Sequence, residues 1–351
     1  MHAGSIASSY SMVAMLLAIL LGFLVSRIGA AGCVFLGLLT TGAAGMLGAT
    51  SESYYQLLGT RVAEGVGFVL MAISVPVLIT RVVNEKSRPI AMGMWGTFIP
   101  GGIALSMLIA PFFENQWRSI WWFSCALMLV CLIGLLVIVV PVLKGIEQSP
   151  QTQNPPTPRY PSVLSRDPIL LALSFLLYSS FFIALITYLP TLLSETAFMS
   201  QRAATITSAA VVVFNAFGNI FSGIMISRGA ALKTVLTTAL LGATLFAGVV
   251  FSDWVYLPIR VLSGMLACFL GGMLPAAVFT SVPSFVSARK SGVLFGLVYQ
   301  AMGCGQVMGP LLMAAVVEGG GHWRWGTLFY VGLAAIALLV MNVFQRDSQA
   351  V

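Results

Sequence analysis

Charge is scarce in this chain: only 8% of its 351 residues are Asp, Glu, Lys or Arg, against about 25% in ordinary soluble domains. That shortage excludes a soluble globular protein. Histidine is nearly absent, with His2 and His322 lying outside the apolar runs, so no metal-ligating cluster is expected. No glycine-rich loop ending in Gly-Lys-Ser or Gly-Lys-Thr occurs, which removes direct use of ATP. The five cysteines, Cys33, Cys125, Cys131, Cys268 and Cys304, have no paired spacing and all fall inside apolar runs. They suggest neither a disulfide framework nor a metal site. With no nucleophile, metal cluster or carboxylate pair at membrane depth, no enzyme and no cofactor are expected.

What the chain has in abundance is apolar sequence: 59% is hydrophobic and the mean hydropathy is +0.99. A membrane span needs about 20 largely apolar residues. Eleven such runs are read, at 8–25, 33–50, 55–80, 90–112, 119–142, 169–193, 204–226, 233–251, 255–282, 293–316 and 326–344. They are long and continuous, not the short alternating segments of a barrel, so the predicted fold class is all-α and polytopic. The first run is of full span length and no basic stretch precedes it, so no cleavable signal peptide is expected.

The net charge of +7 reports orientation, with no nucleic-acid partner implied. With the N-terminus outside, Arg27, Arg81, Lys86, Arg88, Lys144, Arg159, Arg166, Arg228, Lys233, Arg289, Lys290 and Arg346 collect on one side, against Arg118, Arg202 and Arg324 on the other. This asymmetry makes the first side cytoplasmic. The expected setting is a lipid bilayer, the bacterial cytoplasmic membrane, with the chain a monomer.

The one long polar stretch, 144–168, holds the Pro- and Gln-rich segment Gln148 to Pro156 and reads as a cytoplasmic linker. It divides the chain into an N-terminal bundle of about five spans (1–143) and a C-terminal bundle of six (169–351). The two halves repeat. Gly22 to Arg27 recurs as Gly223 to Arg228; Arg61, Gly65 and Pro76 recur as Arg260, Gly264 and Pro275; Trp117-Arg118 recurs as Trp323-Arg324. Matches in constant order indicate parallel repeats, an arrangement used by secondary transporters.

Two of these segments carry a resemblance. Gly22-Phe23-Leu24-Val25-Ser26-Arg27-Ile28-Gly29 resembles the cytoplasmic-loop signature of the major facilitator superfamily, G-x-L-x-D-R-x-G-R-R, with Ser26 in place of Asp. Arg61-Val62-Ala63-Glu64-Gly65-Val66-Gly67 is similar to that superfamily's R-x-x-Q-G-x-G segment, with Glu64 in place of Gln. The resemblance implies a two-bundle permease working by alternating access, with Gly22, Arg27 and Gly29, and Arg228 in the second copy, at the cytoplasmic gate. It also implies twelve spans. Only 21 residues precede Gly22, so the first helix of the family pattern is expected to be missing, through a misplaced start, a truncated copy or a natural eleven-span form.

Three charged residues fall within the runs: Arg61, Glu64 and Arg260. A charge in hydrocarbon normally faces a protein interior or an aqueous path. Arg61 and Glu64 share a helix face at i and i+3, and either neutralise each other or serve as an anion contact and a protonatable coupling group. Arg260 has no acid one turn away, leaving a choice between a carboxylate clamp and a bridge to Asp253 or a lipid phosphate. Tyr178, Asn215, Asn219 and Gln300 are further candidates, with hydrogen bonding between helices as the plain alternative. These residues suggest a secondary transporter of a small-molecule substrate, leaning to a small organic or inorganic anion and coupled to protons. A multidrug or metabolite exporter, and a non-transporting sensor or scaffold, are the alternatives.

Overall fold

A computed structural model describes residues 2–109, 112–113, 116–147 and 162–344. The segment Gln148 to Pro156, Arg159 and Arg346 lie outside the described residues. What is described is helical, as lipid demands: a chain crossing hydrocarbon must satisfy every backbone N–H and C=O internally, and a helix does so within one segment. In order, the helices are α1 (His2–Ile28), α2 (Ala30–Ala49), α3 (Tyr54–Val82), α4 (Arg88–Gly96), α5 (Phe98–Ile109), α6 (Trp117–Gly134), α7 (Val140–Glu147), α8 (Arg166–Thr196), α9 (Gln201–Ser227), α10 (Leu232–Val250), α11 (Leu257–Phe285), α12 (Ser291–Gly320) and α13 (Gly326–Val343). Among the described residues, 11 segments are long and apolar enough to cross a membrane, with α4–α5 and α6–α7 each forming one of them.

The two interruptions follow from proline. Pro100 has no N–H to offer the carbonyl of Gly96, and the helix breaks at Thr97 between α4 and α5. Pro141 likewise cannot bond the carbonyl of Val137, and Leu135–Val139 widens into a π-helical turn before α7. Starts are capped where polar side chains permit: the Ser53 hydroxyl accepts from Gln56 N at 3.2 Å and that of Ser200 from Ala203 N at 3.3 Å.

The described helices gather into two compact units. The first comprises Met1–Asn84, Asn115–Pro168 and Val282–Gln300. Here α3 packs against both α1 and α2, and α6 lies on α2. Packing is through glycine: a Cβ on Gly67 would stand 2.7 Å from the Gly37 carbonyl, and one on Gly37 would stand 2.7 Å from that of Gly67. Backbones this close exclude any larger residue from either helix. The outward face of α6 is a run of exposed Trp122, Leu129, Val130 and Ile133, the surface expected to meet lipid.

The second unit comprises Glu85–Glu114, Ile169–Ser281 and Ala301–Val351. Its centre is α9, which packs against α4 and α5 and meets α11 where a Cβ on Gly272 would strike the carbonyl of Asn215. α10 packs on α13, tied by the Thr327 hydroxyl donating to the carbonyl of Gly248 at 2.9 Å.

Candidate functional sites

In the first unit, Arg61 and Glu64 form an ion pair along one face of α3, with side chains only 17% and 12% exposed. The guanidinium carbon also lies 4.7 Å from the centroid of the Trp121 ring of α6, a cation–π contact. The pair is a self-contained unit with no net charge, and protonating Glu64 would leave Arg61 uncompensated. Glu64 is the only acid of the described spans that lies away from a helix end. Gln300 of α12 is already engaged: its Oε1 accepts from the backbone N–H of Ile19 at 3.3 Å, joining α12 to α1.

The loop after α1 owes its shape to one residue. Gly29 has φ 94° and ψ 149°, a region essentially reserved for glycine. The matching loop after α9 turns on Gly229 at φ 91°. Ser26-Arg27-Ile28-Gly29 has become Ser227-Arg228-Gly229, one residue shorter and again ending on a glycine at positive φ. Arg27 and Arg228 are both exposed. The glycines that begin the two motifs, Gly22 and Gly223, are buried and do a different task. A Cβ on Gly22 would lie 2.5 Å from the carbonyl of Gly292 in α12, and one on Gly223 would lie 2.5 Å from the carbonyl of Pro89 in α4. Each motif therefore opens at a backbone-to-backbone helix crossing. The crossing of α4 over α9 continues inward, where Gly93 meets the carbonyl of Asn219 and Gly96 meets its side chain.

The second unit brings together three of the residues expected from the sequence. Tyr178 of α8 donates to Asn215 Oδ1 at 3.3 Å. Asn219 Nδ2 donates to the Asn215 carbonyl at 3.0 Å and to its Oδ1 at 3.2 Å. Both asparagines are fully buried, yet the Nδ2 of Asn215 and the Oδ1 of Asn219 have no hydrogen-bond partner. A buried amide group left unpaired costs about 1–3 kcal/mol, so the pair holds one unsatisfied donor and one unsatisfied acceptor a helical turn apart on α9. Tyr178, the third member of the cluster, also lines a small cavity of about 20 Å³, room for about one water, whose walls do not include the two asparagines. Tyr178, Phe98, Phe175, Phe182 and Phe279 wall it, together with Pro100 and Pro275, and the Tyr178 and Phe182 rings stack at 5.8 Å.

Arg260 is elsewhere in this unit, buried at the start of α11. Its guanidinium donates to the Thr196 hydroxyl, and to the carbonyl of Ser252 at 2.9 Å. It thereby ties α11 to the end of α8 and the turn after α10. Asp253, the acid considered for it, makes no direct bridge to it; it lies 3.9 Å from Arg324 and acts on Arg260 only as a nearby charge. Sequence reasoning missed Thr196 and Ser252, since a hydroxyl and a main-chain carbonyl leave no pattern in composition. Trp121 was equally invisible, being one tryptophan of seven. A wider recess of about 630 Å³ between α10 and α13 is lined by none of the expected residues.

The sequence matches the profile of the Major Facilitator Superfamily over residues 1–268. The chain belongs to this superfamily. Its fold agrees with solved members. The proton:xylose symporter XylE, bound to 6-bromo-6-deoxy-D-glucose, superposes with a TM-score of 0.78 at 12% identity, covering 99% of this chain and 86% of that one. The human organic anion transporter TETRAN gives 0.73 at 19%, covering 98% and 83%. The E. coli fucose:proton symporter FucP gives 0.69 at 16%, covering 98% and 91%. No individually curated protein matches in sequence. As a member of the major facilitator superfamily, the chain is a multi-pass integral membrane protein with the fold of a small-solute transporter.

Proposed function

We propose that the protein is a proton-coupled secondary transporter of a small, uncharged polar solute, working by alternating access with 1–143 and 169–351 as its repeats. The observation that carries this reading is the buried Tyr178–Asn215–Asn219 cluster, with its unpartnered amide donor and acceptor and with Tyr178 reaching from it into the wall of an aromatic-lined cavity. A hydroxyl- or amide-bearing solute supplies the complementary acceptor and donor, and apolar walls around a few placed polar groups are the usual make-up of a small-molecule site. The lean to an anion rested on lone arginines. Arg61 is neutralised by Glu64, and two donors of Arg260 are engaged by Thr196 and Ser252. That leaves the uncharged solute favoured. Glu64 is the natural proton carrier, because it pairs with Arg61 when ionised and releases it when protonated.

Uptake into proteoliposomes under an imposed pH gradient tests the proposal, with sugars, polyols and amides set beside carboxylates, inorganic anions and cationic dyes. The expected result is gradient-driven uptake of a neutral solute. Its affinity should fall about tenfold or more in Asn215→Leu, as loss of a buried hydrogen bond implies. Glu64→Gln should retain exchange of that solute but no longer accumulate it. Flux of an anion alone, lost in Arg260→Gln, would replace this reading with the anionic one. Flux of none of these compounds would leave the fold without transport and overturn it.

A further inference from the structure

In the first unit, α1, α3 and α12 enclose a recess of about 210 Å³ at the end where the basic loops gather. Ser26, Val77, Arg81, Arg289 and Gly292 line it. Two exposed arginines thus line one small space. The side chains of Arg81 and Arg289 have no partner among the described residues.

A third positive source adds to them. α12 begins at Ser291, its first turn holds no acidic residue, and the opening N–H groups of a 30-residue helix carry about half a positive charge. Gly292 brings that helix end to the recess with no side chain to cover it. Ser26 does not offset any of this, because its neutral hydroxyl is donating to the Gly22 carbonyl at 3.0 Å. Two forks and a helix N-terminus around one pocket are the elements that bind a phosphate oxyanion.

We propose that this recess binds a phosphate group. Its position at the helix ends lies at the depth of lipid headgroups, where basic pockets on the cytoplasmic side select anionic lipids. The same chemistry would also accept free phosphate from solution.

The test uses the full chain, purified and delipidated. Native mass spectrometry after exposure to mixed phosphatidylglycerol and phosphatidylcholine micelles reads the lipid source, and equilibrium dialysis with inorganic phosphate reads the soluble one. The expected result is retention of phosphatidylglycerol over phosphatidylcholine. Retention should fall by about tenfold or more in Arg81→Gln/Arg289→Gln, as loss of charge-assisted bonds implies. Ser26→Asp, which places a carboxylate at the recess, should displace the lipid and raise the melting temperature in anion-free buffer. Saturable phosphate binding, lost in the same variants, would assign the site to free phosphate. If wild type and both variants retain phosphatidylglycerol and bind phosphate equally, the proposal fails. Since Arg81 and Arg289 are exposed, their variant folds even if Ser26→Asp does not.

Discussion

Arg260 shows how a residue type can point to two roles until its neighbours are known. A lone guanidinium in an apolar run has the chemistry of a solute clamp. In the fold its hydrogen bonds to Thr196 and the Ser252 carbonyl make it a fastening between three helix ends. Arg260→Ala should therefore destabilise the protein by about 1–3 kcal/mol, seen as a lower melting temperature in detergent, while the KM of the surviving protein for its solute stays unchanged. A raised KM with unchanged melting would make it a solute contact. Gly29 gives a second residue-scale case. Its backbone at φ 94°, ψ 149° penalises any side chain, and Gly29→Ala should cost about 1–3 kcal/mol although nothing stands within 4 Å of the added methyl group. Thermal unfolding beside Gly32→Ala, a glycine of ordinary helical backbone, measures the difference.

At the scale of the element, glycines of one chain divide into those a neighbour requires and those it does not. Gly93 faces the Asn219 carbonyl, which a Cβ would approach to 2.7 Å; a backbone atom of a packed helix cannot swing aside. Gly93→Ala should push α4 from α9, lower the yield of folded protein and disturb the Asn215–Asn219 pair. Gly101 in α5 has nothing within 4 Å, and Gly101→Ala should stabilise the helix by about 0.5–1 kcal/mol through lost backbone entropy. Melting temperatures of the two variants in one detergent should move in opposite directions. In the sequence both glycines sit in the same Gly- and Pro-rich run, and nothing local separates them.

For the whole molecule, the basic residues of the loops make a prediction about sidedness. Twelve against three predicts the loop after α3 inside and the loop after α8 outside. In a variant freed of its five cysteines, Ala197→Cys should react with a membrane-impermeant maleimide in intact cells, and Asn84→Cys only after permeabilisation. The reverse pattern would invert the topology. The repeat supports the same frame, since the Gly22 and Gly223 motifs end on left-handed glycines and open at matching crossings, with Gly292 and Pro89.

Span number, helical class and the repeat were legible from composition and order, because hydrocarbon leaves an apolar run of some 20 residues little choice but a helix. The interruptions near Pro100 and Pro141 were equally local, a missing N–H being a property of the residue itself. The site was legible only as a list of polar residues at membrane depth. Which of them meet depended on helix crossings set by glycine contacts between segments far apart in the chain: α4 on α9, α9 on α11, α1 on α12. Together with the packing of α8 on α9 and α11 and of α3 near the start of α12, they joined Tyr178 to Asn215, spent Gln300 on Ile19, held Arg260 to Thr196 and brought Arg81 and Arg289 to one recess. Periodicity shows that a side chain shares a helix face with its neighbours; the helix that packs on that face, and the hydrogen bonds it has to offer, were decided by tertiary structure alone.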